Sequence, residues 1–115
     1  MIIIAGYLEF VDQQNRDGAV AAGTELQQAT RDGEPGCLSY VFTADPCDER
    51  RVHVHELWSD EAALAAHFAH PNYTAMRTVL RGFARSSGDS RKYRCNLSEP
   101  VYDDSGVARA DFFTA

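Results

Sequence analysis

The sequence predicts an α+β domain with elements in the order βαββαβ, forming an antiparallel sheet with both helices on one face. Three observations carry that prediction. Four short stretches rich in β-branched and aromatic residues are separated by stretches with apolar residues at helical spacing. The chain, at 115 residues, has the size of one domain. Its composition, 44% hydrophobic and 24% charged with four Pro and eight Gly, is that of an ordinary globular protein.

Residues 2–11 (IIIAGYLEFV) read as the first strand, ended by the polar run Asp12 to Arg16. From Asp12 to Asp32 the pattern turns helical, with Ala19, Ala22, Leu26 and Ala29 three and four apart. Gly18 and Gly23 each weaken that helix by up to about 1 kcal/mol against Ala, so packing must hold it. Asp32-Gly33-Glu34-Pro35-Gly36 stops it. Cys37 to Thr43 and Arg51 to Trp58 are the second and third strands of a hairpin with a longish loop. Ser59 is expected to cap the next helix, with Asp60 and Glu61 in its first turn and Ala63, Leu64, His67 and Phe68 on one face. The helical pattern pauses at His70-Pro71-Asn72 and resumes with Tyr73, Met76, Leu80 and Phe83, until Ser86-Ser87-Gly88-Asp89-Ser90 is expected to close it. Lys92 to Ser98 alternates Tyr93, Cys95 and Leu97 with polar residues and is predicted as the fourth strand. This is the split-βαβ, ferredoxin-like order, with a domain at residues 1–98 and a C-terminal tail at 99–115. The tail is expected to fray or, through Phe112 and Phe113, to dock on a partner subunit or cover a pocket mouth.

The strands are apolar on both faces. A sheet with helices on one side should alternate with polar residues on the other, yet Ile3, Ala5, Tyr7, Val41 and Leu57 fall on the second face. A homodimer packing sheet against sheet is therefore expected.

Charge and cysteine content narrow the partners. Seventeen acidic and eleven basic residues leave a net charge of −6, the wrong sign for phosphate neutralisation, so no nucleic-acid partner is expected. No apolar run approaches the roughly 18 residues that cross a bilayer, and Met1 to Ala5 lacks a basic leader, so a cytoplasmic protein without a membrane partner is expected. Cys37, Cys47 and Cys95 form no CxxC pair, which excludes a disulfide scaffold and a four-thiolate metal site. There is no GxGxxG, P-loop or GxSxG motif, so oxidative chemistry would run without a nucleotide cofactor bound by such a fold.

The candidate chemistry clusters between residues 52 and 73. His53 and His55 share a strand face, where paired imidazoles at a dimer interface are favoured over a metal site, and no metal is expected. Glu56 and Trp58 share the opposite face. If that face meets the helices, they suit a flat aromatic ligand; the alternative is a core Trp beside a Glu56 paired to an arginine. His67 sits at the edge of the buried helical face, either as a satisfied structural imidazole or as a group for proton transfer from a phenol or enol. Tyr73 is a core residue whose hydroxyl needs a partner, a ligand among them. Arg77, Arg81 and Arg85 form a basic row expected to be solvated or salt-bridged rather than an anion site. Cys47 lies in a loop with no visible base to activate it.

Glu34-Pro35-Gly36-Cys37-Leu38-Ser39-Tyr40, His55-Glu56-Leu57-Trp58 with Asp60-Glu61-Ala62-Ala63-Leu64 leading to His67, and His70-Pro71-Asn72-Tyr73 together resemble the antibiotic biosynthesis monooxygenase (ABM) family, including small quinol monooxygenase-like proteins. The resemblance spans about residues 1–98 and implies a dimeric α+β barrel. By similarity, Trp58 and His67 match the strand Trp and helix His of the family pocket. The haem-degrading branch carries an Asn on its first strand and the polyketide-oxygenating branch an Asn shortly before its Trp; here Met1 to Phe10 has none, and His53, Val54 and His55 precede Trp58. The resemblance implies a cofactor-independent monooxygenase that uses dioxygen on a phenolic, quinol or anthrone-like substrate. In that scheme His67 is catalytic, taking or relaying a proton, Trp58 and Tyr73 hold the ring, and Tyr40 and Glu56 line the pocket. The alternatives are a non-catalytic dimeric module for a small hydrophobic metabolite and, less favoured, a haem-binding or haem-degrading protein.

Overall fold

The computed structural model describes residues 1–114, and Ala115, the last residue of the predicted tail, lies outside them. The elements are β1 (Ile2–Phe10), α1 (Gln13–Gly33), β2 (Cys37–Ala44), β3 (Arg51–Trp58), α2 (Glu61–Phe68), α3 (Pro71–Arg81) and β4 (Arg85–Arg94). The sheet is antiparallel throughout in the order β2-β3-β1-β4, the ferredoxin-like arrangement, with the second helical segment broken into two at His70-Pro71.

Even-numbered residues of β1 and β3 face the helices. Ile2, Ile4, Leu8 and Phe10 join Val52, Val54 and Trp58 in a core completed by Ala19, Tyr40, Leu64 and Met76. The two glycines that weaken α1 mark close packing against α3 and its continuation. A Cβ on Gly18 would fall 2.5 Å from the Phe83 ring, and one on Gly23 would fall 3.2 Å from the Met76 sulfur. Helix α1 also protects the free edge of β2. The Gln27 amide donates to the Phe42 carbonyl and accepts from its N–H, both at 3.0 Å, and Arg31 Nε donates to the Tyr40 carbonyl at 2.7 Å. The buried Arg16 is satisfied by Asp17 and by the carbonyls of Asp45, Asp48 and Arg51, which pins the β2–β3 loop to α1.

Two sequence expectations are corrected. The fourth strand spans Arg85–Arg94 rather than Lys92 to Ser98, and the helix before it ends at Arg81, short of Phe83. Ser86 to Ser90 is turn-like in composition, but its backbone pairs along β1, with Leu8 opposite Gly88 and Gly6 opposite Ser90. Tertiary pairing overrides the local preference, and all ten β4 residues stay exposed. The cap of α2 is also displaced by one residue: Asp60, not Ser59, accepts the Ala63 N–H, at 2.8 Å.

The second sheet face has no helix over it. Ile3, Ala5, Tyr7, Val41 and Leu57 are half-buried there among His53, His55 and the exposed Tyr93. The tail stands outside the sheet but is tied to itself. Tyr102 bridges Ala108, and the Glu99 carboxylate accepts the N–H groups of Phe113 and Thr114. No helix is long and apolar enough to cross a membrane among the described residues.

Candidate functional site

Three local devices bring the site together. At the end of α1, Glu34 caps the helix through its N–H to the Thr30 carbonyl, and the chain then turns sharply at Gly36, whose φ of +84° favours glycine. That turn seats β2 against the start of α2, since a Cβ on Gly36 would lie 2.5 Å from the Ala63 Cβ. The last turn of α2 then presents His67 towards Glu34 and the β3 residues Glu56 and Trp58. Pro71 ends the path of α2 and begins α3 with Asn72 and Tyr73 beside the same ring.

His67 is the hub, 2% exposed, with ring nitrogens facing two buried carboxyl groups. Its Nδ1 bonds Glu34 Oε1 at 2.7 Å, and the other Glu34 oxygen accepts from Asn72 Nδ2 at 3.2 Å. An ionised Glu34 thus holds the proton on Nδ1 and leaves Nε2 as the free ring nitrogen. Nε2 lies 4.0 Å from Glu56 Oε1, which itself accepts the Trp58 indole N–H at 3.0 Å. The partner of Glu56 is therefore Trp58, not an arginine. Four aromatic rings surround the imidazole, Trp58 nearest at 4.5 Å between centroids, with Tyr73, Tyr40 and Phe68 from 5.4 to 5.7 Å. Burial pushes the Glu56 carboxyl above the ordinary range of Glu, against the opposing pull of the Trp58 hydrogen bond and of His67. Burial likewise pushes the Tyr40 hydroxyl up, so it stays protonated.

A cavity of about 490 Å³ opens beside this cluster, between α2 and α3 on one side and β1 and β4 on the other. Ile4, Leu8, Val54 and Leu80 give it an apolar floor, and Glu56, Phe68 and Tyr73 line it. A second hollow of about 380 Å³ adjoins it, sharing Phe68 and Lys92. Of the residues singled out from sequence, Glu56 and Tyr73 face the larger cavity. His67, Trp58 and Tyr40 do not line it: they form the buried layer behind Glu56. Tyr73 finds its hydroxyl partner in Arg77 Nη1 at 3.0 Å.

The basic row stands exposed to solvent, with Arg77 and Arg81 on α3 but Arg85 on β4 rather than on the helix. Arg77, Arg81 and Arg85 line the cavity together with Lys92, and among the described residues none of the four has a carboxylate within salt-bridge distance. Sequence reasoning missed Glu34 as a site residue, treating it as part of a helix stop. The only signal was a carboxylate directly before a Pro-Gly turn, which is usually solvated. It also missed the exposed Phe68 as a shared wall of both hollows. His53 and His55 stand exposed on the other sheet face, bonded to Asp45 and Ser39, and among the described residues no group of three His, Cys, Asp or Glu is arranged to hold a metal ion.

Residues 1–79 match the family described as antibiotic biosynthesis monooxygenase. Among solved structures, a candidate antibiotic biosynthesis monooxygenase from Deinococcus radiodurans superposes with a TM-score of 0.78 at 22% identity, covering 90% of this chain and 100% of that one. Rv0793 from Mycobacterium tuberculosis gives 0.69 at 19% identity, covering 85% and 96%. The uncharacterised protein sll1783 of Synechocystis is 31% identical over 72 residues, 63% of this chain. The match spans about half, 48%, of that relative's length.

Proposed function

The chain belongs to the antibiotic biosynthesis monooxygenase family, and from that premise we propose that it is a cofactor-independent monooxygenase of a phenolic, quinol or anthrone-like aromatic substrate. The observation that carries the reading is the stack of Glu56, His67 and Glu34 running from the cavity wall into the core. An electron-rich aromatic anion reduces dioxygen itself, so the protein has to hold the ring away from water and manage one proton. In this account the aromatic ring lies on the apolar floor against Tyr73 and Phe68. Glu56, whose raised pKa makes it the stronger base once ionised, takes the proton from the substrate. His67 Nε2, with Glu34 on Nδ1, faces the Glu56 carboxyl from behind and stabilises it once it has taken the proton.

For an anthrone, the balance closes with dioxygen alone. The substrate carbanion attacks dioxygen to form a C–O bond, and the peroxide takes back the proton. The O–O bond then breaks, one oxygen staying as the quinone carbonyl and the other leaving as water with the two methylene hydrogens.

Homodimerisation is part of the same reading. The half-buried apolar residues on the uncovered sheet face are sites for a second copy, and the tail, with Val101, Tyr102, Val107 and Phe112 exposed, docks on that copy. A cytoplasmic setting accords with Cys37, Cys47 and Cys95 as free thiols. The test is oxygen uptake by purified, metal-stripped protein given anthrone, comparing wild type with His67→Ala. Loss of about a hundredfold in rate is expected, and equal rates would remove His67 from the mechanism. Saturable anthrone binding without oxygen uptake would instead favour a binding module, the reading that the burial of His67 behind the cavity wall supports.

A further inference from the structure

Five of the chain's eleven basic residues line one cavity, in a protein of net charge −6, and the only acidic residue in that lining is the buried Glu56. Arg91 is paired with Asp89 at 3.0 Å, but Arg77, Arg81, Arg85 and Lys92 have no carboxylate partner among the described residues. They come from two walls. Arg77 and Arg81 lie one turn apart on α3, and Arg85 and Lys92 lie on β4. Like charges gathered on both sides of a cleft repel one another, and an anion between them removes that cost while gaining charge-assisted hydrogen bonds. The apolar floor and the Tyr73 and Phe68 rings lie inside this basic rim. A ligand matched to both regions has an aromatic body and an acidic substituent at its periphery.

On the reading that this cavity holds the substrate, we infer that the substrate is an aromatic carboxylate, its ring over the apolar floor by Glu56 and its anionic group held at the basic rim, between cations of α3 (Arg77, Arg81) and of β4 (Arg85, Lys92). The arrangement keeps the two negative groups apart, with the substrate carboxylate at the mouth and Glu56 at the inner wall. It also gives orientation, because only one end of such a ligand suits the rim.

The test is calorimetric titration under anaerobic conditions with two probes, naphthohydroquinone and its ring-carboxylated derivative. They are added to wild type and to a double variant, Arg81→Gln with Lys92→Gln, which removes one cation from each wall. Both side chains are exposed and make no hydrogen bond among the described residues, so the variant keeps its fold. Wild type is expected to bind the carboxylate roughly tenfold more tightly than the neutral quinol. The preference should fall below about threefold in the variant, and the wild-type preference should shrink in high salt. Equal binding of both probes by wild type, or an undiminished preference in the variant, overturns the anionic-substrate proposal alone. Binding of neither probe overturns the cavity reading and the proposal with it.

Discussion

Burial pushes the Glu56 carboxyl up, while the indole N–H of Trp58 and the ring of His67 pull it partway back. The sign of the consequence for stability follows from linkage. The unfolded chain ionises this group at its ordinary value and the folded chain only at a higher one. Folding is therefore penalised as pH rises through that window, and the penalty is constant above it. Glu56→Gln keeps the acceptor for the Trp58 N–H and removes the charge. The variant should melt above wild type at pH 8, with no such gain below the ordinary range of Glu; a gain equal at both pH values would contradict the assignment. Glu34 acts through hydrogen bonds instead, accepting from His67 Nδ1 and from Asn72 Nδ2. Glu34→Ala leaves the His67 Nδ1–H buried without a partner and should cost about 2 kcal/mol in urea unfolding. Glu34→Gln, which still accepts that proton, should recover most of it. His67, Trp58 and Glu56 were legible in the sequence because strand alternation and helical spacing place them on inward faces. Glu34 was not, since its burial depends on where the turn at Gly36 sends the chain, a tertiary fact with no local signature.

The elements differ in how far their own residues decide them. Strands β1, β2 and β3 carry β-branched and aromatic side chains on a buried face, and the sequence places them within a residue of their observed ends. Strand β4 has no buried residue and carries Ser86, Ser87, Gly88 and Ser90, so neither pattern nor propensity marks it. What holds it is its long ladder to β1, including the close approach at Gly6, where a Cβ would fall 2.1 Å from the Asp89 carbonyl oxygen. Gly6→Ala should therefore push β4 off the sheet edge and cost about 3 kcal/mol. Amide exchange should quicken along β4 more than along β2, whose edge is held by Gln27 and Arg31. Equal quickening on both edges would show a general loss of core instead. Because β4 carries Arg85 and Lys92, the same variant should weaken binding at the cavity mouth as well.

At the scale of the whole molecule, the radius of gyration is 16.1 Å, against about 13 Å for a compact chain of this length. The excess is consistent with a strand and a tail that extend past the helical layer. Truncation after Pro100 should convert a dimer in sedimentation velocity to a weaker, concentration-dependent one; an unchanged dimer would leave the tail with no part in assembly. The ferredoxin-like order was readable from the chain because each inward strand face is matched by a helix of the right period. The exposed cations of the cavity were visible only as a row on one helix, since their other half comes from the strand that the pattern misplaced. In the proposed reaction Glu56, backed by His67, takes the substrate proton so that dioxygen can react directly with an aromatic anion. The most direct measurement is mass analysis of anthraquinone formed from anthrone under oxygen-18 gas by metal-stripped protein, for wild type and Glu56→Gln. The account predicts one labelled oxygen in each quinone formed and a rate at least about a hundredfold lower in the variant. Unlabelled product, or equal rates in the two proteins, would contradict it.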